Sequence, residues 1–216
     1  MYRCPYDEFA IEECLRLKDK NGGDVTAISL GGDAHKETLR KALAMGVDKA
    51  VLLKDDGVRD SYGVAQALAG YLKEISPDVV FFGKQSVDYD NGAVGVMVAE
   101  MLGLPSVTVV VKLDVSDGKA IAEREIEGGR EVVETTLPAV FTAQKGLNEP
   151  RYPSLKGIMS AKSKPIEEHQ ASPAEGKTAL IDMQKPPGKP AGRIIGTDAS
   201  AVAELVRLLH EEAKVI

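Results

Sequence analysis

Tryptophan is absent from the 216 residues, and aromatic residues make up only 5% of them, so any core has to be aliphatic. Cysteine is limited to Cys4 and Cys14, and histidine to His35, His169 and His210. They are scattered with no C-x-x-C pair, which excludes the common zinc and iron–sulfur ligand spacings and leaves two thiols expected in a reducing compartment. No apolar run approaches the ~20 residues of a membrane span. Neither a secretory nor an Arg-rich transit pattern is read in the chain. Positive charge is in the minority, 27 Lys and Arg against 33 Asp and Glu, for a net charge of −6. That balance excludes the broad basic surface of a nucleic-acid binder. The phosphate loop G-x-x-x-x-G-K-[ST] and the fingerprint G-x-G-x-x-G are both missing. No Ser/His/Asp set can be assembled from the scattered histidines, so the chain reads as a binding subunit without a complete active site.

The 44% hydrophobic content is enough for a real core. From Pro5 to Leu102 the pattern alternates. Helices are expected over Pro5–Lys20, Ala34–Met45 (with Asp33 as cap), Ser61–Ile75 and Gly92–Leu102. Short apolar strands are expected over Val25–Leu30, Ala50–Leu53 and Val79–Phe82. Such alternation predicts a parallel sheet covered on both faces. After Gly103 the period changes. Val107–Val115, Lys119–Glu127, Arg130–Leu137 and Ala139–Ala143 read as strands, with hairpin signals at Asp117-Gly118 and Gly128-Gly129, so an antiparallel meander is expected. Glu123, Glu125 and Glu127 read as a solvated row, and Glu12 with Arg16 as a surface pair. Ser160–Gly192, rich in Lys, Pro, Ser, Ala and Gly, reads as an irregular arm. A final amphipathic helix is expected from Ala199 to Lys214, capped by Thr197 or Asp198. The division expected is residues 1–159 for a nucleotide-binding α/β domain, and 160–216 for the arm and the helix that docks on a partner.

The segment Gly83 to Gly92 follows a parallel strand and runs into a helix. Ligands of open α/β sheets bind at that place, where helix amides face anions. Gly83 and Gly92 allow close approach, and Ser86 and Asn91 offer hydrogen bonds. Asp88 and Asp90 suit ribose hydroxyls or orient Lys84. The chemistry points to one nucleoside phosphate; an ordinary polar loop is the alternative. Gly31-Gly32-Asp33 could close the other side of the crevice. Between Pro150 and Pro153 the chain is stiff. Beyond it, Leu155, Ile158 and Met159 are apolar, with Lys156 and Lys162 beside them, the anatomy of a protein-docking site. The alternative is that Leu155 packs into its own core.

Those residues carry a resemblance. The segments Pro5–Ala10, Glu37–Gly46, Gly83–Gln85, Arg124-Glu125 with Gly128-Gly129, Leu137–Val140 and, above all, Leu147–Tyr152 through Ile158-Met159 resemble the β subunit of electron-transfer flavoproteins. The resemblance runs along the whole chain in order. It implies a doubly wound, mostly parallel α/β fold of the adenine nucleotide alpha hydrolase-like or Rossmann-like kind. The meander, the C-terminal arm and its helix would follow. It implies a heterodimer with an α subunit that holds most of the FAD, while this chain holds AMP. A second FAD with NADH as donor is the electron-bifurcating alternative, and a stand-alone adenine-nucleotide-binding regulator is another.

By the same resemblance the nucleotide would be held by Cys4, Pro5, Tyr6 and Asp7, by Leu30, and by Gly83, Lys84, Gln85, Ser86, Val87, Asp88, Asp90, Asn91, Gly92, Ala93 and Val94. Tyr6 would approach the FAD ring, and Glu125 would be a carboxylate near the flavin. Leu155 would be the anchor entering a pocket on acyl-CoA dehydrogenases, with Tyr152, Ile158 and Met159 around it. Electrons would pass on to a quinone-linked oxidoreductase, and the roles of fatty acid β-oxidation and electron transport would follow. The compartment implied is the bacterial cytoplasm, or the mitochondrial matrix in a eukaryote. Relatives of this pattern usually carry a β-strand ahead of the segment matching Cys4-Pro5, and the expectation is a chain without it.

Overall fold

Helix α1 (Pro5–Asn21) opens on a proline at its first position, carries Asp7 and Glu8 in its first turn, and ends at Gly22. All three features match helix-terminus chemistry: a missing amide where none is needed, acids at the positive end of the dipole, and a glycine at φ 79° beyond the last turn. The computed structural model describes residues 4–189 and 191–216. Up to Ala179 the chain forms one compact unit, and Leu180–Ile216 forms a second.

In the first unit, strand β1 (Thr26–Gly31) leads to α2 (His35–Met45), β2 (Lys49–Lys54), α3 (Ser61–Ile75), β3 (Val79–Gly83) and α4 (Val94–Leu102). The expected alternation is therefore present. Two details differ. Asp33 does not cap α2, whose first turn has no side-chain cap; its carboxylate lies 2.8 Å from Lys36 Nζ and 3.3 Å from Lys54 Nζ instead. Helix α4 starts at Val94 and not at Gly92, because Gly92 has φ 58°, outside the right-handed helical region.

Beyond α4 come β4 (Ser106–Ser116), β5 (Lys119–Ile126), β6 (Gly129–Thr136) and β7 (Ala139–Ala143), then α5 (Leu155–Ser163) and β8 (Glu167–Gln170). Strands β4, β5 and β6 pair antiparallel, as expected. Strand β7 does not extend that meander. It lies between β3 and β4 and is parallel to both, giving the order β3-β7-β4-β5-β6. Its five residues are all buried, which suits a central parallel strand covered on two faces. The sheet expected to be single is two sheets: β1-β2-β8 form a second one, with β1 and β3 each at an edge. Residues 160–170 are not an irregular arm either, whereas 171–179 carry no helix or strand. The division expected after Met159 falls inside α5, and β8 adds in parallel to β2.

Helices cover both faces. Ala10 of α1 packs with Val110, Phe141 and Ala143 on one side of the larger sheet, while Ala65, Leu72 and Val98 of α3 and α4 pack with Val80 and Val140 on the other. Leu39 and Leu43 of α2 pack on Ala50 and Leu52. The core is aliphatic, with Phe141 its largest fully buried side chain. Within the second unit a short 3₁₀ turn (Ala199–Ala201) leads into α6 (Val202–Glu211). Asp198 caps it by accepting from the Ser200 amide at 2.8 Å. Val202, Leu205 and Val206 of α6 remain exposed. No helix among the described residues is long and apolar enough to cross a membrane.

Candidate functional site

The C-terminal end of β3 meets the N-terminal end of α1. The Gly83 amide donates to Asp7 Oδ1 at 2.9 Å, Cys4 Sγ donates to the Gln85 carbonyl at 3.1 Å, and Lys84 Nζ stands 5.7 Å above the centre of the Tyr6 ring. The fit allows no side chain at position 83: a Cβ there would lie 2.6 Å from Asp7 Oδ1 and 2.8 Å from both Tyr6 Cβ and the Asp7 amide. Burial, and secondarily the Asp7 charge, pushes the Cys4 thiol up, so it stays protonated.

Past Gln85 the loop is organised by its own carboxylates. Asp88 accepts from the Ser86 hydroxyl and, at 2.7 Å, from the Tyr89 amide, and the Ser86 bond holds its pKa below the ordinary value. Asp90 accepts from Gln85 Nε2 at 2.8 Å with φ 53°, a left-handed conformation that Asp tolerates better than most residues. Asn91 Nδ2 donates to Ser61 Oγ at 3.1 Å, which ties the loop to the start of α3. Val87 is exposed. Helix α4 then begins at Ala93-Val94 with no side-chain cap and no acid in its first turn, unlike α3, whose first turn is capped by Asp60. First-turn amides without a capping side chain are available to an anion.

Fifteen of the seventeen expected cofactor residues thus fall in two groups. Cys4, Tyr6, Asp7, Gly83, Lys84 and Gln85 are brought together, with Pro5 between them, and Ser86 to Val94 continue the same loop. Glu125 stands on β5 nearby in the chain's hydrogen-bonding order: it accepts from Gln144 Nε2 at 3.1 Å, and the Lys84 amide donates to Ala143, the residue before Gln144. Leu30 is the penultimate residue of β1, in the other sheet, and its side chain packs in the cluster of Val51, Leu53 and Ala67. The four docking candidates are all exposed, Leu155 at 84% and Tyr152 at 96%. The alternative that Leu155 fills its own core is thereby overturned.

Sequence reasoning missed the polar network that ties Asn148–Arg151 to α1. Glu12 is not a surface residue. Its side chain is 4% exposed and accepts from Arg151 Nε at 2.8 Å, from the Arg151 amide at 3.0 Å and from Arg16 Nε at 3.1 Å. Burial works to raise the pKa of Glu12, but its bonds to Arg151 and Arg16 outweigh this and hold it below the ordinary value. Beside it, Asn148 Nδ2 donates to Glu13 Oε2 at 2.8 Å and to the Phe9 carbonyl at 3.0 Å, while Asn148 Oδ1 is buried with no partner among the described residues. Burial raises Glu13. A carboxyl with a raised pKa favours folding while protonated, and that contribution is lost as pH rises from the ordinary 4.5 through the folded value. Glu13→Gln stays neutral and offers its amide to Asn148 Oδ1. It is expected to stabilise the protein by about 1 kcal/mol at pH 7, with the gain vanishing near pH 3.5. Urea unfolding at the two pH values checks this.

Residues 4–174 match the electron transfer flavoprotein domain family. The electron transfer flavoprotein subunit beta of Bacillus subtilis is 46% identical over 223 residues, covering 98% of this chain and 87% of its own length. The chain belongs to the electron transfer flavoprotein beta-subunit family. The subunit beta of Syntrophomonas wolfei is 41% identical over 189 residues, 87% of this chain and 75% of its own. The mitochondrial subunit beta of Arabidopsis thaliana is 35% identical over 219 residues, 98% and 86%. The family match spans both the β3–α4 loop and the exposed residues Tyr152, Leu155, Ile158 and Met159. No group of His, Cys, Asp and Glu among the described residues could hold a metal ion.

Proposed function

We propose that this chain is the nucleotide-holding, partner-recognising half of an electron carrier. Its β3–α4 loop holds AMP, it pairs with an α subunit that carries FAD, and the complex takes electrons from acyl-CoA dehydrogenases and delivers them to a quinone-linked oxidoreductase. One observation carries the reading: the start of α1 closes on the end of β3 around a glycine with no room for a methyl group, beside an uncapped helix start, in a chain of this family. The residues fit a monophosphate. The uncapped first amides of α4 would take the phosphate, and the loop's two carboxylates are engaged within the loop by Ser86, the Tyr89 amide and Gln85, which makes them poor ligands for a metal-bound triphosphate.

In this reading the chain makes and breaks no bond. AMP supplies no redox chemistry; it fills the crevice that α1, the loop and α3 surround. Tyr6, aligned under Lys84, and Glu125, held by Gln144, would face the partner's flavin. The exposed apolar side chains of α6 fit burial against the α subunit.

Denaturing the purified heterodimer is expected to release one AMP and one FAD. Two flavins and no AMP would replace this reading with the bifurcating one, and neither ligand would end it. Gly83→Ala is the matching variant. Its methyl group cannot coexist with Asp7 and Tyr6, so AMP content should fall at least about tenfold, the effect of some 1.4 kcal/mol.

A further inference from the structure

Helix α5 is nine residues long and buries only Ala161. Isolated helices shorter than ~12–15 residues are marginal in water, so something other than its own propensity or apolar burial holds it. The structure provides three polar or close-packed attachments. Arg40 Nη1, on α2, donates to the carbonyls of both Ala161 and Lys164, the last of which is the C-cap. Lys164 Nζ donates to the Val47 carbonyl at 2.9 Å. Gly157 lies so close to α2 that a Cβ would sit 2.5 Å from the Ala44 carbonyl oxygen. The face toward α2 is thus Gly157 and Ala161, and the opposite stripe, Leu155, Ile158 and Met159, is left exposed with Lys156 and Lys162 beside it.

We propose that α5 is a preformed docking helix and that Arg40 is its positioning residue. Arg40 satisfies two carbonyls at the helix end that α5 cannot satisfy internally. It thereby fixes the stripe before any partner arrives. The partner that fits is a protein with an apolar pocket in an acidic surround, because the stripe is apolar and its neighbours are basic. The inference rests on the docking reading above and deepens it: the electron donor meets a finished surface and is spared the ordering of nine residues on binding.

The test uses the FAD-containing heterodimer with an acyl-CoA dehydrogenase as donor, and two readouts: KM and kcat of electron exchange, and amide hydrogen exchange over 155–163. If Arg40→Ala leaves α5 formed in one molecule in ten, KM rises about tenfold with kcat and the flavin spectrum unchanged. Protection of 155–163 falls in parallel, and Arg40→Lys restores part of both. Gly157→Ala, which lifts α5 off α2 without touching Arg40, gives the same result should Arg40→Ala fail to fold. Unchanged protection in both variants overturns the proposal. So does lost protection with unchanged KM when Leu155→Ala does raise KM. If neither Arg40→Ala nor Leu155→Ala moves KM although protection is lost, the docking reading itself fails and takes this inference with it.

Discussion

Leu155→Ala is expected to lower kcat/KM for the dehydrogenase about thirtyfold, with flavin and AMP content unchanged. The side chain is 84% exposed in the free chain, so its removal takes nothing from the fold. In a complex, a leucine buried in a pocket contributes about 2 kcal/mol, the scale of an interface hot spot, which corresponds to that factor. Thermal unfolding should be unaltered within error. The flanking apolar residues would show smaller losses, Met159 more than Ile158, because Ile158 is already partly covered. Steady-state electron exchange across a donor titration checks the value. Loss of flavin in place of slowed exchange would show that Leu155 supports the fold after all.

Glu12→Ala acts in the opposite compartment of function: stability falls first. The substitution strands the Arg151 guanidinium and amide together with Arg16. Breaking a buried pair costs 3–5 kcal/mol, and the lower end applies here because Arg151 is about one-third exposed. About 3 kcal/mol corresponds to a melting point lower by roughly 6–12 °C for a chain of this length. The pH dependence has a definite sign. Glu12 is held below its ordinary value of 4.5, so its contribution is full above that value and is lost as pH falls through the folded one. The gap between wild type and variant should therefore narrow below about pH 4. A loss under 1 kcal/mol at pH 7 would place Glu12 among ordinary surface pairs.

Those two sites differ in how visible they were before folding. The alternation up to Leu102 was legible because the strands are continuously apolar and the helices end on glycine or begin on Pro5 and Asp60, all local features. The apolar character of Leu155, Ile158 and Met159 was legible in a polar stretch, but the helix α5 that carries them was not, because the prolines before it and the Lys- and Ser-rich run after it read as irregular chain. What local chemistry cannot state is which strands become neighbours. Ala139–Ala143 is as apolar as any meander strand, and its place between β3 and β4 is decided only when both of its faces find helices to cover them. Strand β8 reads Glu-Glu-His-Gln, four exposed residues with no apolar period to announce a strand; β2 templates it. The Glu12–Arg151 pair spans 139 positions, and the nearer Arg16 supplied a sufficient partner on paper. Cys4 to Asp7 meeting Gly83 to Gln85 came from the resemblance, since nothing in either segment alone points to the other.

The position of β7 also governs the order in which the protein can be made. During synthesis β3 emerges with one side waiting for Ala139–Ala143, some sixty residues downstream, and β2 waits for Glu167–Gln170, more than a hundred residues later. Pairing across such separations is slow, because the loop must close before any contact rewards it. Neither sheet is complete until nearly four-fifths of the first unit has left the ribosome, so the nascent chain has open strand edges for most of its translation, and that interval is where a chaperone would meet it.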